Sequence, residues 1–316
     1  MSKIYKKNVL ITGGAGFIGS HICDRFIEDY NVVCIDNLVS GKMKNINHLI
    51  GRDNFIFLNI DIGKINCNNF FDKIDFIFHF ASLANLPDIL KNPINTFLPN
   101  SHGTYELLNL AKFNNAKFIL ASTSEIYGNP LVHPQHEEYW GNVNPIGVRS
   151  VYDESKRFAE TLTKCFNRIG VDTKIVRIFN TYGPRMSNDG RVMINFITQA
   201  LMNEDITIYG NGKQTRSFCY IDDLVDGIFK LAFSDYNDPV NIGNIEEITI
   251  GDLANKIRYM TNTTGNFIYK PLPMDDPYRR KPDIDRARKV LNYEPKIGLD
   301  AGIIKTIDYV KKDILK

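Results

Sequence analysis

The run from Asn8 to Gly19, which reads Asn-Val-Leu-Ile-Thr-Gly-Gly-Ala-Gly-Phe-Ile-Gly, constrains the fold of this chain more than any other feature. Its first residues predict a buried strand that runs directly into glycines, and a helical pattern begins near Phe17. Glycines at such a junction allow a tight turn and let backbone N–H groups approach a pyrophosphate, which the helix N-terminus also favours. The run therefore predicts a dinucleotide site, although glycines can also serve only a tight turn between strand and helix.

Short β-rich runs alternate with longer amphipathic segments up to Asn180. The predicted strands in this part are Asn8–Thr12, Val32–Ile35, Phe55–Asn59, Phe76–Phe80, Lys117–Ser122 and Lys174–Phe179. This alternation is typical of an α/β fold, specifically a Rossmann-type doubly wound parallel sheet with helices on both faces. We expect the cleft to lie beyond the carboxyl ends of the strands.

After Asn180 the elements become shorter, and Gly, Pro and Asn separate runs such as Ile206–Tyr209 and Phe218–Ile221. This change of texture predicts a smaller C-terminal portion that binds substrate. We place a dinucleotide-binding domain at 1–179 and the smaller domain at 180–316, with the two packed tightly around one cleft and able to interleave.

Asp36 follows the second predicted strand, where a carboxylate can accept hydrogen bonds from a ribose 2′-OH and would repel a 2′-phosphate. This position favours NAD over NADP as the cofactor. Asp61, after the third predicted strand, could cap a helix or contact the adenine side, and its spacing fits both roles equally. The candidate NAD-binding residues are Gly13, Gly16, Phe17, Ile18, Gly19, Asp36, Asn37, Gly41, Asp61, Ile62, Phe80, Ala81, Ser82, Tyr152 and Lys156.

Tyr152 and Lys156 are four residues apart in a predicted helix, so the phenol and the ammonium lie on one face. A nearby ammonium and a cationic nicotinamide both favour the phenolate, which would let Tyr152 accept a hydroxyl proton near neutral pH. Thr123, Ser124 and Glu125 lie at the carboxyl end of the preceding strand, where the cleft is expected. They would supply a hydroxyl for the substrate and a carboxylate for a second proton transfer. Taken alone, each motif also fits a solvated helix face or a polar strand end.

Charge and composition argue against several other classes of protein. The net charge is +2, with 38 basic and 36 acidic residues interspersed, which gives no electrostatic reason to expect nucleic acid. The basic N-terminus leads into the glycine run rather than into an apolar span, so we expect no membrane segment and a cytoplasmic protein. The six histidines show no metal-binding spacing, and His79 fits a core strand. We expect no metal, and free thiols at Cys23, Cys34, Cys67, Cys165 and Cys219.

Together, the glycine run, the Thr-Ser-Glu element and the Tyr-x-x-x-Lys spacing resemble the extended short-chain dehydrogenases, the NAD-dependent epimerase/dehydratase family that modifies nucleotide sugars. Within that family, three longer runs are similar to the UDP-glucuronate decarboxylases, also called UDP-xylose synthases. These runs are Val132–Gln135 with Tyr139–Gly147, Arg177–Met186 followed by Asn188–Arg191, and Arg280–Ile284. The similarity extends over nearly the whole chain.

The resemblance implies a redox-neutral reaction on UDP-glucuronate. Tyr152 would deprotonate the sugar 4-hydroxyl while NAD accepts the C4 hydride, CO2 would leave the 4-keto sugar, and the returning hydride would give UDP-xylose. Ser124 or Thr123 could hydrogen-bond the developing oxyanion, and Glu125 could handle the C5 proton, directly or through water.

For the nucleotide end, the resemblance indicates donors to the diphosphate at Asn180, Arg191, Arg216 and Arg280. Tyr209, which precedes Gly210-Asn-Gly, could stack near the uridine. The family commonly dimerises through the helix near 103–114 and the helix that bears Tyr152, so we expect a homodimer.

Two segments depart from the decarboxylase pattern. After Ser82, where these enzymes usually read Pro-Ala-Ser-Pro with a tyrosine soon after, this chain reads Leu83-Ala-Asn-Leu-Pro-Asp-Ile-Leu90. Leu98 stands where the family usually has a lysine placed to meet the substrate. Either another group supplies that charge, or the substrate carries no carboxylate.

The second possibility makes a nucleotide-sugar 4,6-dehydratase acting on a neutral sugar the main alternative. A 4-epimerase is a weaker one, because it needs no acid/base carboxylate at the position of Glu125. A non-catalytic NAD-binding protein could dispense with Tyr152 and Lys156, so the presence of both argues against that class.

Overall fold

A parallel sheet of seven strands forms the centre of the computed structural model, which describes residues 6–66, 73–274 and 276–314. The strands of this sheet are β1 (Asn8–Thr12), β2 (Asn31–Asp36), β3 (Phe55–Asn59), β4 (Phe76–His79), β5 (Lys117–Thr123), β6 (Thr173–Ile178) and, further along the chain, β11 (Val240–Ile242). The first six are the predicted strands, and their ends agree with the prediction to within one residue.

The sheet has the order β3-β2-β1-β4-β5-β6-β11, and every neighbouring pair is parallel. The direction of strand order reverses between β1 and β4, which is where doubly wound sheets open a crevice at their carboxyl ends. The predicted α/β Rossmann-type fold is thereby confirmed. Because β11 comes from beyond residue 180, both segments of the chain contribute to the sheet.

Helices cover both faces of the sheet. In chain order they are α1 (Phe17–Phe26), α2 (Leu86–Lys91), α3 (Pro93–Leu98), α4 (Thr104–Asn114), α5 (Ser150–Arg168), α6 (Val192–Leu201), α7 (Ile221–Phe233), α8 (Ile250–Thr261), α9 (Asp285–Leu291) and α10 (Leu299–Ile314). Helices α1 and α7 pack together on one face, and α4 and α5 pack on the other. Side chains alternate along a strand, so Val9 and Ile11 enter the first core while Leu10 enters the second.

The remaining strands are short and belong to the C-terminal portion. They are β7 (Thr181–Tyr182), β8 (Ile206–Tyr209), β9 (Thr215–Ser217), β10 (Cys219–Tyr220), β12 (Glu247–Thr249), β13 (Phe267–Lys270) and β14 (Arg279–Arg280). The predicted strand Phe218–Ile221 is shorter than expected, because Ile221 already begins α7. Strand β14 pairs with β9 so that Arg280 lies opposite Arg216.

His79 is a satisfied core residue, as predicted. Its Nδ1 is 2.8 Å from Thr12 Oγ1, and its Nε2 is 3.0 Å from the carbonyl oxygen of Pro99. Burial, with a smaller contribution from the charge of Lys156, lowers the pKa of His79 to about 3, so the ring is neutral.

The cysteines in the described part of the chain are free. Cys23, Cys34 and Cys219 are buried and Cys165 is exposed, whereas Cys67 lies outside the described residues. Within the described ranges, no group of three or more His, Cys, Asp or Glu side chains could hold a metal ion. None of the helices described here is long and apolar enough to cross a membrane.

Candidate active site

One cavity of about 980 Å³ follows the carboxyl ends of the central strands, at the upper end of the size range of small-molecule sites. Most of the predicted site residues line it. On the cofactor side these are Gly13, Gly16, Phe17, Ile18, Gly19, Asp36, Asn37, Asp61, Ile62, Phe80, Ala81 and Ser82. On the reactive and substrate side they are Thr123, Ser124, Glu125, Tyr152, Lys156, Asn180, Arg191, Tyr209 and Arg216. The fold therefore brings these sets together in one place, as the sequence predicts.

The glycine run forms a tight cradle between β1 and α1. Gly13 has a positive φ of 69°, and a Cβ there would lie 2.7 Å from the backbone nitrogen of Ala81. A Cβ on Gly19 would lie 2.1 Å from the carbonyl oxygen of Gly13. Both positions require glycine, and a backbone this close to the start of a helix suits a pyrophosphate.

The carboxylate of Asp36 is held in place at the end of β2. Its Oδ2 accepts a hydrogen bond from the Ala15 nitrogen at 3.0 Å, and its Oδ1 accepts one from the Leu38 nitrogen at 2.8 Å. Burial raises the pKa of Asp36, and these backbone N–H groups oppose that shift. Gly41 does not line the cavity. It packs behind Asp36 instead, where a Cβ would lie 2.5 Å from Oδ1.

Asp61 caps the short 3₁₀ turn that begins at Ile62. Its Oδ1 accepts a hydrogen bond from the Gly63 nitrogen at 3.0 Å. The capping role, one of two that the sequence left open, is therefore present. Asp61 also lines the cavity, so the adenine contact stays a prediction.

Tyr152 and Lys156 lie on the cavity face of α5, as their spacing predicts. The Nζ of Lys156 donates to the carbonyl oxygen of Ala121 at 2.8 Å and lies 5.9 Å from the centroid of the Tyr152 ring. Burial lowers the pKa of Lys156 to about 7.

Burial also raises the pKa of Tyr152 well above its usual value, although a hydrogen bond with Thr123 opposes the shift. Within the protein alone, desolvation therefore keeps the phenol protonated, contrary to the expectation that its charged neighbours favour the phenolate. A low Tyr152 pKa stays a prediction for the complex with NAD, where the nicotinamide adds a positive charge.

Two arginines hold Glu125 at the end of β5. Arg149 Nη2 donates to Glu125 Oε2 at 2.8 Å, and Arg280 Nη2 lies 3.2 Å from the same oxygen. Burial opposes ionisation of Glu125, but the charges of Arg280, Arg149 and Arg216 outweigh it, so its pKa lies below the ordinary value. Glu125 is therefore a carboxylate at neutral pH in this arrangement.

Sequence reasoning missed three members of this charged cluster: Arg149, Asp153 and Asp276. Asp276 Oδ2 accepts a hydrogen bond from Arg216 Nη2 at 2.9 Å, and its Oδ1 lies 3.9 Å from Arg149 Nη1. Burial raises the pKa of Asp153 to about 7, and Glu125 adds to this shift. The signal for Arg149 was present, because it precedes Tyr152 by one helical turn and so shares its face.

A family model described as the NAD dependent epimerase/dehydratase family matches residues 9–243. The chain belongs to this family. It is 46% identical to UDP-glucuronic acid decarboxylase 1 of Xenopus tropicalis over 99% of this chain and 74% of that protein. It is also 46% identical to UDP-glucuronic acid decarboxylase 6 of Arabidopsis thaliana, over 96% of this chain and 89% of that one.

Solved structures of nucleotide-sugar enzymes have the same fold as this epimerase/dehydratase family member. The UDP-N-acetylglucosamine 4-epimerase from Methanobrevibacter ruminantium M1, in complex with UDP-N-acetylmuramic acid, superposes with a TM-score of 0.90 at 30% identity, covering 98% of this chain and all of that one. The UDP-glucuronic acid 4-epimerase from Bacillus cereus, in complex with UDP-glucuronic acid and NAD, gives 0.87 at 28% identity, covering 96% and 99%.

On the substrate side of this family member, the arginines differ in their access to the cavity. Arg191 is paired with Asp189, with Nε 2.9 Å from Oδ1 and Nη2 2.7 Å from Oδ2. Arg280 is only 1% exposed and does not line the cavity. Its Nη1 donates to the carbonyl oxygen of Ser124 at 2.7 Å, so Arg280 supports the end of β5 from behind.

Position 98, where this chain has a leucine and the decarboxylases usually have a lysine, lies at the cofactor end of the site. Leu98 does not line the cavity, and its Cβ lies 3.0 Å from where a Cβ on Gly63 would be, beside Asp61. The sequence-based expectation that this position meets the sugar is therefore not supported. That expectation came from the resemblance to the decarboxylases, whereas here α3 ends against the turn after β3. Position 98 therefore supplies no charge to the cavity, and a carboxylate on the substrate would need a cation from another part of the chain.

The altered segment after Ser82 does reach the cavity. Asn85 caps α2, with its Oδ1 accepting a hydrogen bond from the Asp88 nitrogen at 2.9 Å. Leu86, Pro87 and Asp88 then line the cavity. This part of the cavity wall combines apolar side chains with Asn85 and Asp88, and its residues differ from those usual in the decarboxylases.

Proposed function

We propose that this chain is an NAD-dependent UDP-glucuronate decarboxylase, a lyase that forms UDP-xylose. The observation that carries the proposal is a carboxylate, Glu125, that faces the same cavity as Tyr152 and is held by arginines. A 4-epimerase needs no acid/base group at that place. The identity of 46% to UDP-glucuronic acid decarboxylases over nearly the whole chain supports the same conclusion.

The residues around the glycine cradle fit NAD. Gly13 and Gly19 leave room for a pyrophosphate next to the start of α1, and the Asp36 carboxylate can still accept hydrogen bonds from a ribose that carries free hydroxyls. Bound in this way, NAD would supply the hydride acceptor for C4 of the sugar and return the hydride at the end of the cycle.

Tyr152 is the proposed base for the sugar 4-hydroxyl. Lys156 lies on the same helix face within 5.9 Å of its ring, and Thr123 hydrogen-bonds the phenol. The hydroxyl of Thr123 gives the phenol a hydrogen-bonded partner through which a proton can move.

Thr123, Ser124 and Glu125 are the proposed groups for decarboxylation. When CO2 leaves a 4-keto uronate, the electron pair of the broken bond moves onto the C4 oxygen, and a hydroxyl next to it stabilises that charge. Glu125, directly or through water, would then manage the proton that C5 must receive.

The nucleotide half of the substrate is proposed to lie against the C-terminal portion, 180–316, while 1–179 binds NAD. Asn180, Arg191 and Arg216 are the proposed diphosphate donors, and Tyr209, half-exposed at the end of β8, can stack on the uracil. Arg280 would act through Ser124 and Glu125, which it contacts.

We further propose that the enzyme is a cytoplasmic homodimer built on α4 and α5. Leu107, Leu108 and Ala159 of these helices are buried in the chain's own core, but Tyr105 and Phe158 are 48% and 47% exposed. A pair of aromatic side chains at this exposure, on adjacent helices, suits a helix bundle between two copies.

A mass-spectrometric assay tests the function. Purified protein with NAD is offered UDP-glucuronate in one tube and UDP-glucose, UDP-N-acetylglucosamine or GDP-mannose in others. Loss of CO2 from the uronate alone is the expected result. Loss of water from a neutral sugar would instead make the chain a 4,6-dehydratase and refute the proposal.

A further inference from the structure

Arg149 lies in the cavity beside the two groups proposed to act on C4 and C5 of the sugar, Tyr152 and Glu125. It immediately precedes α5, and its carbonyl oxygen accepts the Tyr152 N–H at 3.0 Å. Its side chain, 16% exposed, lines the cavity together with Glu125 and Tyr152. A group attached to the sugar carbon next to C4 would lie close to Tyr152, and so close to Arg149.

The other nearby cations are already engaged or face elsewhere. Arg216 donates to Asp276 and to the carbonyl oxygen of Thr215, and Arg280 lies behind Ser124 without reaching the cavity. Lys156 donates to a backbone carbonyl beneath Tyr152. Position 98, where a lysine is usual in the decarboxylases, carries a leucine beside Gly63.

The hydrogen bonding of Arg149 is incomplete. Its Nη2 bonds Glu125, but the adjacent Nε is buried without a partner. The Nε–Nη2 edge of the guanidinium therefore makes only one hydrogen bond. A carboxylate bound in the bidentate arrangement would accept hydrogen bonds from both nitrogens. Glu125 Oε2 already accepts a second guanidinium, that of Arg280, so Glu125 would stay paired if Arg149 turned away.

We propose that Arg149 recognises the carboxylate of the uronate by exchanging Glu125 for the substrate, and so determines specificity for a sugar acid over a neutral sugar. This inference rests on the proposed function. It also accounts for how a chain with Leu98 can bind a carboxylate, since the charge comes from the start of α5 and not from the end of α3.

The exchange has a consequence for the proton that the reaction consumes. The charges of Arg280, Arg149 and Arg216 hold the pKa of Glu125 low. When Arg149 turns to the substrate, that pKa rises, and Glu125 can take from solvent the one proton that decarboxylation consumes. When the C5–C6 bond breaks, its electron pair moves to the C4 oxygen and CO2 departs. Glu125 then gives its proton to C5 and, as a carboxylate again, recovers the guanidinium that CO2 no longer holds.

The test compares two ligands that differ only at C6. Binding of UDP-glucuronate and of UDP-glucose is measured by calorimetry in the presence of NAD, using Tyr152→Phe to prevent turnover and Tyr152→Phe with Arg149→Gln. The Arg149→Gln change should weaken UDP-glucuronate by about 10–100-fold, the cost of one charge-assisted carboxylate pair. UDP-glucose should change by less than about 2-fold, which also shows that the variant is folded.

Arg258→Gln in the same background is the matched control, because it removes one positive charge from α8, whose Arg258 packs over Phe267 and does not line the cavity. Equal weakening of both ligands by Arg149→Gln, or no weakening of either, would overturn the inference. Carbon dioxide release by the unmodified enzyme separates the two proposals. If CO2 forms but the two ligands respond alike, Arg149 is wrongly assigned; if UDP-glucuronate alone is weakened but no CO2 ever forms, the decarboxylase assignment fails.

Discussion

Replacing Asp36 by alanine tests how the enzyme distinguishes NAD from NADP. The carboxylate has two structural bonds, to the backbone nitrogens of Ala15 and Leu38, and Asp36 is 7% exposed. Leaving a buried donor without an acceptor costs about 1–3 kcal/mol, so the two together set an upper bound of about 6 kcal/mol on the loss of stability. Water that enters from the neighbouring cavity would reduce this figure.

The same substitution should act unequally on the two cofactors. NAD would lose hydrogen bonds from its ribose hydroxyls to a charged acceptor, which corresponds to about 10–100-fold weaker binding. For NADP, the substitution would remove only the hydrogen bonds by which Asp36 holds the backbone at Ala15 and Leu38. The 2′-phosphate of NADP would then no longer face a negative charge. Calorimetric titration of both cofactors, with a thermal melt of each protein, measures the two effects separately.

Asp36→Asn is the matched control, because it keeps the volume and one acceptor oxygen but removes the charge. We expect it to melt above Asp36→Ala and still to lose preference for NAD. If the affinities for NAD and NADP fall by the same factor in Asp36→Ala, then Asp36 only supports the glycine loop, and the assignment of NAD from this residue is refuted.

Three further substitutions examine the reactive groups. Tyr152→Phe removes the proposed base and should slow hydride transfer to NAD by about 100-fold or more while UDP binding stays within about 2-fold. Hydride transfer is followed at 340 nm within a single turnover with UDP-glucuronate, because the complete cycle returns the hydride; retained turnover would exclude Tyr152 as the base. Glu125→Gln should lower UDP-xylose formation about 100-fold in the mass-spectrometric assay, because it removes the group that handles the C5 proton, and an unchanged rate would exclude that role. The Asp153 carboxyl has a folded-state pKa of about 7, above its ordinary 3.8. Between these two pH values the unfolded chain loses the proton while the folded protein keeps it, so the free energy of unfolding falls as the pH rises from 3.8 to about 7. Asp153→Asn should therefore melt above the parent at pH 8 and near it at pH 4.5, and a melting difference independent of pH would contradict this account.

Local patterns predicted the fold well, and most of the residues predicted to bind NAD line the cavity. Strands β1, β2, β4, β5 and β6 are almost entirely buried, so each appears in the sequence as a short apolar run, whereas β3, at the edge of the sheet, is partly exposed. The glycine run follows β1, and Asp36 is the last residue of β2. Because β1 and β2 are neighbours in a parallel sheet, their carboxyl ends lie side by side and bring these residues together.

The substrate side was harder to predict, because its members come from distant parts of the chain. Asp276 precedes β14, which pairs with β9, and its Oδ1 comes within 3.9 Å of Arg149 Nη1, a contact that no local sequence pattern predicts. The position of Leu98 relative to the cavity depends on the direction in which α3 runs, which no local pattern determines. The pKa of Tyr152 was expected to fall because the sequence shows its charged neighbours but not its burial.

Strand β11 limits how this enzyme can be divided or recombined. It covers the outer edge of β6, a strand whose residues are almost entirely buried. A protein that ended before Val240 would leave the backbone groups of β6 unpaired along an apolar edge, which is a template for aggregation. Chimeras that exchange the sugar-binding portion between relatives should therefore keep Val240–Ile242 with the sheet and exchange only the segments on either side of it.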